Sequence, residues 1–187
     1  MYDWDELREK CLACRACGLC EGRTNVVFGT GNEHARLMFV GEGPGRDEDA
    51  SGIPFVGRAG HLLDDLLTVS GFSRDEVYIA NIVKCRPPEN RDPLPEEREA
   101  CIGWLRNQVQ LIRPRVIVCL GRIAAGVLLH EDYKITREHG QWIERKGVLM
   151  TAVYHPAAVL RNPALRDDVV RDFLEIRKKI TELEAKA

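Results

Sequence analysis

Apolar positions along the chain follow two patterns that alternate. Short continuous runs at residues 37–40, 77–83, 116–120 and 149–154 are dense in β-branched and bulky side chains, as expected of strands buried on both faces. Between them, residues 60–70, 95–112 and 122–129 space their apolar positions three and four apart and predict helices. This alternation predicts an α/β fold: a central, mainly parallel four-stranded sheet with helices on both faces. Residues 141–146 predict an added strand with Lys146-Gly147 as its turn, and an amphipathic helix is expected from about Leu165 to Leu183. The Cys- and Gly-rich stretch before Ala35 predicts one helix near residues 5–12 and otherwise irregular chain.

The unusual residues fall where these strands end. The first run leads into Gly41-Glu42-Gly43-Pro44-Gly45, and the second carries Asn81 before Lys84-Cys85-Arg86-Pro87-Pro88-Glu89-Asn90. Gly121-Arg122 follows the third, and His155-Pro156-Ala157-Ala158 the fourth. In open α/β sheets the ligand crevice lies outside the carboxyl ends of the strands, so four segments point at one site. The glycine-rich turn lacks the third glycine of a dinucleotide fingerprint, and no GKS or GKT signature of a P-loop occurs. Glu42 within it is a carboxylate suited to orienting water or stabilising a developing cation. Pro156 biases His155 towards an extended backbone that aims its ring out of the strand end. Asn81 interrupts an apolar run, where an unpaired amide costs about 1 to 3 kcal/mol. Phe55 lies in the loop 51–58, off any periodic face.

Composition narrows the classes. With 187 residues and 44% hydrophobic content the chain is expected to form one domain. It has no stretch of roughly 18 apolar residues, and its start lacks the apolar core of an export signal, so a cytoplasmic protein without membrane attachment is expected. The net charge of -2 gives no general basic excess for nucleic acid. Any DNA contact must be local, with Arg86, Arg91, Arg161 and Arg166 near the motifs. Seven cysteines, an odd number, favour metal or cluster binding over disulfides. The Cys11-x2-Cys14-x2-Cys17-x2-Cys20 run, with Cys85 and Cys101 downstream, leaves three choices open: zinc, an N-terminal four-cysteine cluster, or a cluster shared between the two regions. Cys119 reads as a small buried hydrophobe.

Taken together, Gly41-Glu42-Gly43-Pro44-Gly45, Gly52-x-Pro54-Phe55-Val56-Gly57, Asn81-Ile82-Val83-Lys84-Cys85-Arg86-Pro87-Pro88 and His155-Pro156-Ala157 closely resemble the family 4 (iron-sulfur) uracil-DNA glycosylases. The resemblance implies a three-layer α/β/α sandwich, a single glycosylase domain over residues 1–187 with an N-terminal ligand segment, and a [4Fe-4S] cluster of structural role held by Cys14, Cys17, Cys85 and Cys101. Cys11 and Cys20 are then extra. It implies release of uracil from DNA, and a monomer is expected. Phe55 is expected to stack on the flipped base and Asn81 to read O4 and N3-H. His155 is expected to stabilise the departing anion through O2, and Glu42 to serve water or the sugar cation. Gly43, Glu48 and Asn90 are expected around the pocket, and Leu160 and Arg161 at the wedge into the duplex. Three alternatives compete. A covalently trapping uracil-DNA binder carries a histidine in the loop after the second strand, and residues 86–95 contain none. An iron-sulfur electron-transfer protein leaves Asn81, Phe55 and His155 without a role. A non-catalytic nucleic-acid-binding module would bind without releasing a base.

Overall fold

The computed structural model describes residues 2–186. Helices α1 (Trp4–Leu12) and α2 (Leu19–Gly22) precede β1 (Thr30–Gly31), β2 (Leu37–Gly41), α3 (Arg46–Ser51), α4 (Arg58–Val69) and β3 (Tyr78–Asn81). Then follow α5 (Pro95–Ile112), β4 (Val116–Leu120), α6 (Arg122–Leu128), α7 (Ile135–Glu138), β5 (Ile143–Arg145), β6 (Val148–Val153), α8 (Pro156–Arg161) and α9 (Arg166–Ala185). One sheet runs in the order β1-β3-β2-β4-β6-β5. Its four central strands are parallel, and β1 and β5 pair antiparallel on the two edges.

The expected four-stranded sheet is therefore six-stranded and mixed. The added strand at residues 141–146 is β5, joined to β6 by a two-residue turn in which Lys146 and Gly147 both have positive φ, 52° and 78°. That pair matches the right-handed twist of a tight hairpin. The edge strand β1 was not foreseen, because two residues, one of them glycine, carry no periodicity. Helix α3 was also missed: Arg-Asp-Glu-Asp-Ala-Ser has no apolar stripe, and its charges gather at the helix start.

Alternate strand residues face two cores. Met38, Val40, Ala80, Ile117, Cys119 and Ala152 pack towards the side of α1, α5 and α6. Leu37, Phe39, Ile79, Val118 and Val153 pack towards α4, α8 and α9. Both faces of the sheet are thus covered, and the parallel strands can be apolar throughout. Among the described residues no helix is long and apolar enough to cross a membrane.

Candidate active site

An open cleft of about 680 Å³ lies outside the carboxyl ends of the four parallel strands. That size suits a small ligand. Glu42, Gly43, Glu48, Phe55, Asn81, Asn90 and His155 all line it, brought together from segments far apart in sequence. Arg86, Arg91 and Arg161 line it too, whereas Arg166 does not. Two of those arginines are already engaged: Arg91 pairs bidentately with Glu97 at 2.7 and 2.8 Å, and Arg86 Nε donates to Asn90 Oδ1 at 2.7 Å.

Asn81 sits at the floor with only 1% of its surface exposed. Its Oδ1 is buried and accepts from no group among the described residues. Such an orphan costs about 1 to 3 kcal/mol, so it invites a donor from a ligand. Gly41 makes the arrangement possible. It pairs with Asn81 across β2 and β3, and a Cβ there would lie 2.4 Å from Asn81 Oδ1 and 2.7 Å from the Phe55 ring. Phe55 is buried, and its ring centroid lies 5.6 Å from that of His155 at a tilt of 31°.

His155 caps α8, with Pro156 at the first helical position, where no amide donor is missed. The Ala157 amide donates to His155 Nδ1 at 3.0 Å. A backbone N–H can only donate, so Nδ1 carries no proton and the neutral ring has its N–H at Nε2. Burial, with the Arg161 guanidinium adding to it, lowers the His155 pKa to about 4. The ring is therefore a neutral Nε2–H donor near pH 7.

Glu42, just past the end of β2, is pushed the other way. Burial and then the nearby Asp92 carboxylate raise its pKa to about 7 against the pull of Arg122, Arg98 and Arg161. A carboxyl poised there serves well as a base. Glu48 is differently employed: its carboxylate accepts from the amides of Gly45 (3.1 Å), Val56 (3.0 Å) and Gly57 (2.9 Å). It thereby ties the glycine-rich turn to the Phe55 loop.

Between the N-terminal segment, the chain just past β3 and α5, Cys11, Cys14, Cys17, Cys20, Cys85 and Cys101 line one small pocket. Among the described residues no three metal-ligating side chains converge as on a single ion. Thiols spread around a cavity suit a soft polynuclear cluster instead. Donors to sulfur are in place: Arg23 Nη1 lies 3.3 Å from Cys85 Sγ, and the Lys84 amide 3.2 Å from Cys101 Sγ. Hydrogen bonds to sulfur are a normal part of cluster sites. Cys11 is fully buried in the core beneath, its thiol pushed up to about 12 by burial, and Cys20 bonds to its neighbour Glu21. Cys119 lies wholly inside β4 among apolar neighbours.

Two residues behind the cleft had escaped sequence reasoning. Arg74, in the turn after α4, donates to the backbone carbonyl of Phe55, and Asp64 holds it. No local pattern announces a contact that spans 19 residues of chain.

Comparison with known proteins gives a consistent picture. The description "Uracil DNA glycosylase superfamily" matches residues 28–178. The chain is 49% identical to the type-4 uracil-DNA glycosylase of Archaeoglobus fulgidus, over 98% of this chain and 94% of that protein. It is 47% identical to the type-4 enzyme of Thermotoga maritima, over 92% and 94% respectively. With the type-4 enzyme of Sulfurisphaera tokodaii the identity is 42%, over 95% and 85%. The chain belongs to the type-4 uracil-DNA glycosylases of the uracil-DNA glycosylase superfamily.

Proposed function

We propose that the cleft receives a uracil swung out of DNA, and that Phe55, Asn81, His155 and Glu42 divide the work of holding, reading and excising it. The chain is a uracil-DNA glycosylase, a hydrolase that breaks the N-glycosyl bond of deoxyuridine in DNA repair. The observation that carries the residue assignment is the orphaned Asn81 Oδ1, buried beside the Phe55 ring at the cleft floor. Uracil N3-H supplies the missing donor, and the Asn81 amide nitrogen donates to O4. Phe55 stacks on the base plane. As the bond between C1′ and N1 breaks, its electron pair passes into the uracil ring, and His155 Nε2–H donates to O2 where the charge gathers. A water oxygen bonds to C1′ and gives its proton to Glu42, leaving uracil and an abasic site. Gly43 and Asn90 complete the pocket wall, and exposed Leu160 with Arg161 forms the wedge that meets the duplex.

The test is single-turnover cleavage of a uracil-containing oligonucleotide, read by alkaline scission, from about pH 5 to about pH 9. Glu42 is raised to about 7, so its basic form gains with pH, and the rate is expected to climb through about 7 and then level. Glu42→Gln should be slow and flat, and no protein-DNA adduct should persist on a denaturing gel. A wild-type rate and profile in Glu42→Gln would remove the base role; a stable adduct would move the chain to the covalent class.

We assign the pocket of thiols to a [4Fe-4S] cluster held by Cys14, Cys17, Cys85 and Cys101. The family register and the donors to Cys85 and Cys101 sulfur support this set. When bound, the cluster serves as a crosslink rather than a reactant, since hydrolysis moves no electrons. It fastens the N-terminal segment to the exit of β3 and to α5. Cys85→Ser or Cys101→Ser is expected to lose the brown absorbance and lower the melting temperature, while Cys11→Ser and Cys20→Ser retain the colour. Loss of colour in Cys20→Ser with retention in Cys14→Ser would overturn the assignment.

A further inference from the structure

Phe55 has a φ of 52°, in the left-handed region that a bulky residue seldom occupies. Such a residue persists only where its surroundings hold it. Two charged side chains hold this one from opposite sides. Arg74 Nη1 donates to Phe55 O at 3.0 Å and to Asp64 Oδ1 at 2.7 Å, and Arg74 Nη2 donates to Pro54 O. In extended chain successive carbonyls point to opposite sides, so a planar fork that takes both at once selects the turned conformation at Phe55. From the other side Glu48 Oε1 accepts from the Val56 amide at 3.0 Å. Phe55 C=O and Val56 N–H are two ends of one peptide group, which therefore lies between a guanidinium and a carboxylate. Helix α4 offers a seat for it: a Cβ on Gly60 would stand 1.9 Å from Phe55 O. Arg74 lies behind the loop and is not part of the cleft lining.

We propose that Arg74, oriented by Asp64, is a positioning residue for uracil recognition: its fork locks the Phe55 backbone so that the ring stands preorganised for the incoming base. The inference rests on the reading of Phe55 as the stacking residue. Arg74 acts on capture of the base and leaves the chemical step alone, because it reaches the substrate only through Phe55.

A double-mutant cycle on single-turnover uracil release separates this from a role in holding the fold. Arg74→Ala and Phe55→Ala should each slow the reaction at subsaturating DNA by roughly 5- to 100-fold, the range of a lost base stack. At saturating DNA Arg74→Ala should stay within about threefold of wild type. In the Phe55→Ala background Arg74→Ala should cost nothing further. Arg74→Lys keeps a cation without the fork, and should reproduce the loss in a chain that folds even where Arg74→Ala does not. Equal factors in both backgrounds, equal losses at saturation, or a wild-type rate in Arg74→Lys would each overturn the proposal. A wild-type rate in Phe55→Ala would instead remove the stacking reading on which it stands.

Discussion

His155→Ser is expected to slow single-turnover uracil release by roughly 100- to 1000-fold, the usual cost of losing one preorganised donor to a developing anion. Serine is the instructive replacement. The His155 ring does two jobs, since its Nδ1 also caps α8 by accepting from the Ala157 amide. Alanine would lose about 1 kcal/mol of helix capping together with the chemistry, whereas serine is a good cap and retains it. The melting temperature of His155→Ser should thus stay near that of wild type while its rate collapses. The pH profile adds an independent check. With its pKa lowered to about 4, the imidazole is already neutral well below pH 7, so the inflection near neutrality belongs to Glu42 and should survive in the serine variant. A rate within about threefold of wild type would remove His155 from the reaction.

Asn81→Asp is expected to change which base is released. Uracil offers an acceptor at O4 and a donor at N3, and cytosine offers the reverse. A free amide can rotate to fit either pattern, so discrimination needs a fixed one. In this cleft Asn81 Oδ1 lies against Gly41, where even a methyl group has no room, beside the Phe55 ring. An ionised aspartate only accepts. It faces uracil O4 with like polarity, but takes a hydrogen bond from the cytosine amino group. A mispaired buried group costs about 1 to 3 kcal/mol, so uracil release should fall roughly 5- to 150-fold with slight cytosine release appearing. The ratio of single-turnover rates on matched uracil and cytosine oligonucleotides is the measurement. A ratio unchanged by the substitution would mean that Asn81 does not read the base.

The elements that the sequence announced best are those with unbroken physical signals. Residues 116–120 form β4 and residues 95–112 form α5 at the predicted bounds. The strand is a pure apolar run. The helix opens on Pro95, with Glu97 Oε2 accepting from the Leu94 amide at 2.8 Å. Short elements such as β1 and α7 lacked the length for a period to show. The cleft was legible because odd residues followed each strand, and parallel topology sends all those ends to one side. What stayed hidden was how the loop residues are held. Nothing near Arg74 in sequence marks it as the partner of Phe55, and nothing near Glu48 says that its carboxylate is occupied by backbone amides. Cysteine spacing alone did not choose a ligand set, since six thiols share the pocket and the family register was needed.

The strand order carries a consequence for how the molecule comes into being. Neighbours β2 and β4 enclose nothing of the sequence between them except β3 and its helices, and His155 follows β6, the last strand of the parallel set. The cleft therefore exists only once segments from residue 41 to residue 155 have met, and loop closure over such spans makes parallel sheets slow to form. A nascent chain that stops short of β6 has Gly41, Phe55 and Asn81 but lacks the His155 ring that packs beside Phe55. During synthesis, neither base capture nor bond cleavage can precede the complete parallel set.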